Sequence, residues 1–202
     1  IHNSAYMTLE QVIDVIKAAE HEEKMTVRLH TGDPSLYGAI REQMDRLDEL
    51  GIKYDICPGV SSFCGAAAAL RAEYTLPDVS QSVIITRMAG RTPVPEKESI
   101  AALAAHNATM VIFLSTGLLK ELSAELIRGE YKPDTPAAIV YKASWADQKV
   151  CRCTVKDLAQ TAADNGITKT ALICVGYFLG NDYSLSKLYD KSFETEFRKA
   201  EI

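Results

Sequence analysis

Apolar residues recur at helical spacing soon after the start of the chain. Val12, Ile13, Ile16 and Ala19 fall on one face, and Thr8 with Gln11 has the form of a capping box. The period then shortens. Met25 to His30 reads as a strand, broken by Thr31-Gly32-Asp33-Pro34. Helical spacing returns from Leu36 to Leu50, with Ile40, Met44 and Leu47 on one side and Gly51 as the terminating residue. Ile52 to Cys57 reads as a second strand, stopped by Pro58-Gly59, and Val60 to Leu70 as an alanine-rich helix. Helices alternating with strands predict a parallel sheet with helical crossovers.

Tyr74 to Asp78 reads as a short linker, so the pattern predicts one α/β domain over residues 1–78 and a second over 79–202. In the second, strands are expected at Ser82 to Thr86, Thr109 to Leu114, Thr135 to Tyr141, Lys149 to Thr154 and Thr170 to Val175. Helices are expected at Glu96 to Ala105, Leu118 to Arg128 and Val155 to Asn165. The short connection between 135–141 and 149–154 predicts a hairpin, hence a mixed sheet. From Tyr183 the chain is polar and aromatic, as in a surface strap. The fold class expected is α/β.

Composition narrows the function. Of 202 residues, 47% are hydrophobic and 24% charged, and the net charge is -5 without a basic run, which argues against a nucleic-acid partner. An acidic protein still binds an acidic small molecule where a few cations converge. No apolar run reaches the roughly 18 residues of a membrane span, so no membrane partner is expected. The five cysteines, Cys57, Cys64, Cys151, Cys153 and Cys174, are odd in number and lack a framework spacing. They predict reduced thiols and a cytoplasmic setting. No His or Cys follows Cys151 and Cys153 at a metal-ligand spacing, and no metal is expected.

Three loops could carry chemistry. Leu29 to Tyr37 is a strand-turn-helix whose Gly32 permits a sharp turn and close backbone approach, at the strand end where open α/β sheets place ligands. A plain connecting turn would look similar. Cys57-Pro58-Gly59-Val60-Ser61-Ser62 is a second such loop; its serines could meet a polar ligand or simply cap the following helix. Arg87 and Arg91 share a glycine-flanked loop and could grip carboxylates through the guanidinium fork, or be solvated. His2, His21, His30 and His106 form no triad-like pattern; His30 alone lies near a candidate turn.

Several segments together resemble the tetrapyrrole methylases: His2-Asn3-Ser4-Ala5, Arg28 through Gly38 (RLHTGDPSLYG), Pro58-Gly59-Val60-Ser61-Ser62, Thr86-Arg87, Gly90-Arg91-Thr92-Pro93-Val94-Pro95 and Thr109 to Ser115. The resemblance implies two α/β domains with the cofactor, S-adenosyl-L-methionine, in the cleft between them, S-adenosyl-L-homocysteine as its product, and a homodimer. It carries cofactor contacts to Thr31, Gly32, Asp33, Leu36, Ser61 and Ser62, and in the second domain to Leu114, Ala143 and Leu172. Arg87 and Arg91 are the candidates for substrate carboxylates. The segment Ser186 to Arg198 resembles the tail of members acting at C11, which implies precorrin-4 or cobalt-precorrin-4 as the tetrapyrrole substrate. Another carbon specificity, a diphthamide-type target or a non-catalytic binding remnant are the alternatives. The family's opening strand and G-x-G-P-G-D-P loop are not found in this chain, and its catalytic acid or base is left unknown.

Overall fold

In the computed structural model, residues 1–200 are described. They form two compact units, the first over 1–62 and the second from Phe63 onwards.

The first unit is built on two helices. α1 (Leu9–His21) begins with the expected capping box: the Thr8 hydroxyl accepts from Gln11 N, and the Gln11 side chain accepts from Thr8 N at 2.9 Å. It buries Val12, Ile13 and Ile16 against Leu47 of α2 (Arg41–Glu49), with Met7, Leu9 and Ile52 packed around them. Gly51, with φ +67°, ends α2 while Ile52 N donates back to Leu47 O at 3.0 Å.

Two expectations fail here. Met25 to His30 and Ile52 to Cys57 form no strand: among the described residues neither segment finds a ladder partner, and Met25, Val27, Leu29 and Ile56 are exposed. A strand is defined by its pairing, and apolar alternation alone does not supply one. The parallel sheet expected in this unit is therefore not formed among the described residues. The helix expected from Leu36 instead begins at Arg41. Tyr37 and Ala39 have φ of 56° and 49°, and a Cβ at Gly38 would lie 2.1 Å from Pro34 O, so the chain turns tightly where helix was expected.

The second unit carries one five-stranded mixed sheet: β1 (Val83–Arg87), β2 (Thr109–Phe113), β3 (Pro136–Tyr141), β4 (Lys149–Thr154) and β5 (Ala171–Val175), in the order β1-β2-β5-β3-β4. β1 and β2 are parallel, β5 is antiparallel to β2 and β3, and β3 and β4 form the expected antiparallel pair. Alternation along the strands splits the core in two. Met110, Ile112, Ile139, Ile173 and Val175 belong to the face covered by α4 (Ile100–Ala104), α5 (Leu119–Arg128) and α6 (Leu158–Asp164). Val111, Ala138, Val140, Leu172 and Cys174 belong to the other, where Ala66 and Leu70 of α3 (Ser62–Leu70), Tyr74 and Phe178 pack. Tyr74 is fixed by its hydroxyl donating to Phe63 O at 2.7 Å and by its carbonyl accepting from the Thr109 hydroxyl at 2.8 Å. Tyr74, at the start of the stretch read as a linker, is thus buried, and it groups with most of α3 and with the sheet that follows them.

The expected helix 96–105 is broken at Ser99, whose hydroxyl caps α4 by accepting from Ala102 N. Cys151 and Cys153 share a face of β4 and pack against the helix-covered core. In the tail, Arg198 donates to the carbonyls of Leu188, Asp190 and Phe193, tying that segment to itself. No helix among the described residues is long and apolar enough to cross a membrane.

Candidate functional site

In the first unit, the two loops singled out in the sequence interlock. Gly32 has φ +70°, and a Cβ there would sit 3.4 Å from Ser61 Cα and 3.5 Å from Ser62 N. Gly59 is tighter: a Cβ would lie 2.2 Å from Gly32 O. Only glycine allows the two backbones to approach this closely. Asp33 fastens them. One carboxylate oxygen accepts from Gly59 N at 2.8 Å; the other accepts from Ser35 N at 2.9 Å and from the Ser35 hydroxyl. These bonds, the Ser35 hydroxyl first and then Gly59 N, hold the carboxyl below its ordinary pKa. Thr31 and Gly32 are exposed, Leu36 is half-buried, Ser61 is buried and Ser62 begins α3. His30, just before this turn, has its pKa lowered by desolvation and by the nearby Arg28.

In the second unit, the strand directions bring the carboxyl ends of β1, β2 and β3 to one edge of the sheet, together with the amino end of β5. This is the edge at which open α/β sheets take ligands. The candidates of the second domain fall along it. Leu114 follows β2 with φ +52° and is 73% exposed, an unusual state for a leucine and the mark of a tightly imposed turn. Ala143 follows β3 between two further left-handed residues, Lys142 and Ser144. It lies beside α3, where a Cβ on Gly65 would sit 3.4 Å from the Ala143 Cβ. Leu172 lies in β5, buried, with its side chain in the core shared with α3. Lys142 pairs with Asp147 at 2.6 Å and lies over the rings of Tyr141 and Trp145, fixing the hairpin connection beside Ala143.

The two arginines differ. The Arg87 guanidinium donates to its own loop, to Met88 O at 3.2 Å, Thr92 O at 3.1 Å and Pro93 O at 2.8 Å. Arg91 is exposed and makes no side-chain hydrogen bond or ion pair among the described residues. The sequence did not single out Ser115, a fully buried hydroxyl at the same edge that accepts from Met88 N at 2.9 Å and donates to Phe113 O at 2.7 Å. In the sequence it stands only as the polar residue that closes the family-like segment Thr109 to Ser115. Among the described residues no group of three or more His, Cys, Asp or Glu side chains could hold a metal ion.

A mixed sheet flanked by helices, with left-handed turns at one of its edges, defines the second unit as an α/β protein, and the glycine-laced loops belong to the first unit. The chain belongs to the tetrapyrrole (corrin/porphyrin) methylases, the family that matches residues 2–159. It is 55% identical to the cobalt-precorrin-4 C(11)-methyltransferase of Methanocaldococcus jannaschii, over 99% of this chain and 78% of the relative. It is 42% identical to the precorrin-4 C(11)-methyltransferase of Pseudomonas aeruginosa, over 98% of this chain and 80% of the relative. Among solved structures it is similar to a cobalt precorrin-4 methyltransferase, with a TM-score of 0.86 and 48% identity over 88% of this chain and 74% of that one. The tetrapyrrole methylase fold expected from the sequence is that of this relative.

Proposed function

We propose that the chain transfers a methyl group from S-adenosyl-L-methionine to C11 of precorrin-4 or cobalt-precorrin-4, a step of cobalamin synthesis. The observation that carries this reading is identity of 55% and 42% to relatives bearing those names, across almost the whole of this chain. The cofactor supplies an electrophilic methyl on its sulfonium and leaves as S-adenosyl-L-homocysteine. The electron-rich macrocycle is the nucleophile, so the protein's task is orientation. The cofactor contacts are assigned to Thr31, Gly32, Asp33, Leu36, Ser61 and Ser62 in the first unit and to Leu114, Ala143 and Leu172 in the second. Support comes from the close approach at Gly32 and Gly59, which leaves exposed backbone at Thr31 and Gly32, and from the left-handed turns at Leu114 and beside Ala143. Leu172 is assigned on the resemblance alone, since its side chain lies in the core and it pairs with Val140 of β3. Arg91 is the substrate-facing cation, with Arg87 beside it. The family resemblance further implies a homodimer, and the five free thiols suit a reducing cytoplasm.

The test is methyl transfer from labelled cofactor to precorrin-4 and to its cobalt form, with the methylated carbon located by NMR. Methylation at C11 is expected. A different carbon, or cofactor binding without turnover on either substrate, would overturn the assignment.

A further inference from the structure

Three of the five N–H donor positions on Arg87 are engaged by carbonyls at 88, 92 and 93, which span the whole loop that carries Arg91. The start of the same loop is pinned from the neighbouring strand. Ser115 accepts from Met88 N and donates to Phe113 O, just past the last register pair of β1 and β2, Arg87↔Phe113. Its hydroxyl therefore joins two turns: the one that exposes Leu114 and the one that exposes Arg91. A hydroxyl with no exposure that both donates and accepts has no freedom left to rotate toward a ligand. Gly90 N donating to Thr92 O at 3.2 Å closes the tip of the loop.

We infer that Arg87 and Ser115 are positioning residues, which fix the 88–93 loop so that Arg91 meets a substrate carboxylate, and that Arg87 is not itself a carboxylate ligand. The inference rests on the proposed reading of the loop as substrate-facing. Arg87 acts as an internal clamp, its planar fork reaching three carbonyls that a lysine ammonium, a point donor on a flexible stem, cannot hold in the same way. Ser115 sets where the clamped loop begins relative to the turn after β2.

The test compares Arg87→Lys, Ser115→Ala and Arg91→Ala in the full-length protein. Steady-state kinetics with the tetrapyrrole are read beside hydrogen exchange of the amides in 88–93, with exchange in β2 and β5 as the control for folding. Arg87→Lys and Ser115→Ala should each raise KM for the tetrapyrrole about five- to tenfold, the factor for losing one or two ordinary hydrogen bonds. Both should speed exchange in 88–93 and leave β2 and β5 protected. Arg91→Ala should raise KM with exchange unchanged, and Arg91→Lys should recover part of the loss. A raised KM in Arg87→Lys with loop exchange unchanged would make Arg87 a direct ligand and overturn the inference while sparing the proposed function. Faster loop exchange with KM unchanged in both clamp variants would also overturn it. If no variant, Arg91→Ala included, alters tetrapyrrole kinetics, the substrate-facing reading of the loop fails instead.

Discussion

Replacing Gly59 with alanine tests whether the laced loops of the first unit form a wall of the cofactor site. An added Cβ would fall 2.2 Å from Gly32 O and 3.1 Å from Gly32 C, and neither neighbour is a flexible side chain that can swing away. The two backbones must separate, and the bond from Gly59 N to Asp33, 2.8 Å in the native arrangement, must lengthen with them. Overpacking of this kind costs about 1–3 kcal/mol, and a backbone-on-backbone clash belongs at the upper end of that range. Gly32→Ala is the internal comparison. Its Cβ would find ordinary contacts at 3.4–3.6 Å. What remains is the left-handed φ of +70°, a strain of about 1–2 kcal/mol for a residue with a Cβ. Gly59→Ala should therefore be the less stable of the two in urea unfolding. Displacing Gly32 and Asp33 by the better part of an ångström should weaken S-adenosyl-L-homocysteine binding in calorimetry about ten- to a hundredfold. Equal effects of the two substitutions would refute the steric argument. A destabilised Gly59→Ala protein that still binds the cofactor product with native affinity would show that the lace is structural only.

The pH dependence of the same loops follows from Asp33. Its folded pKa is depressed, so its contribution to stability is present above the ordinary carboxylate value of about 3.9 and is lost as pH falls through the folded value. Asp33→Asn should flatten that part of the acid-unfolding curve; an unchanged curve would rule the linkage out. Tyr131→Phe removes the hydroxyl that donates to Ala108 O in the core, leaving a buried carbonyl unpaired. It should cost about 1–3 kcal/mol in urea unfolding, and a neutral result would mean that the carbonyl finds another partner. Burial pushes the Cys174 thiol up to about 12, whereas Cys57 and Cys64 are exposed. Alkylation at pH 8 followed by mass spectrometry should label Cys57 and Cys64 and spare Cys174 until the protein unfolds; early labelling of Cys174 would contradict its burial.

The second unit was legible because its signals are local and its strands find their partners within the unit. The apolar run Met110 to Leu114 between Thr109 and Ser115, and the short connection from Tyr141 to Lys149, mark strands whose partners lie in the same unit. Met25 to His30 has an equally good apolar alternation, yet without a ladder partner among the described residues it is not a strand. The spacing of Ile40, Met44 and Leu47 fits a helix from Leu36, but the crowding of Gly38 against Pro34 O is a property of the backbone, which a side-chain pattern does not register.

The candidate site divides in the same way. Glycines and serines marked the loops whose backbones meet at Gly32 and Gly59, and the arginines marked a loop at one edge of the second unit's sheet, because turn-forming residues are legible in sequence. What each charged group does there is set by partners that spacing does not reveal. Asp33 and Arg87 both looked like ligands-in-waiting, and both are bonded to backbone: Asp33 to Gly59 N across the loops, Arg87 to three carbonyls of its own. Arg91, four residues further on in the same loop, faces solvent without a partner among the described residues. A guanidinium that holds its own loop keeps a neighbouring guanidinium in a defined place, and a loop held this way loses less conformational freedom when a carboxylate arrives. Two arginines in one loop are thus better understood as a clamp and a contact than as two contacts, and substitutions at 87 and 91 should differ in whether the loop itself moves.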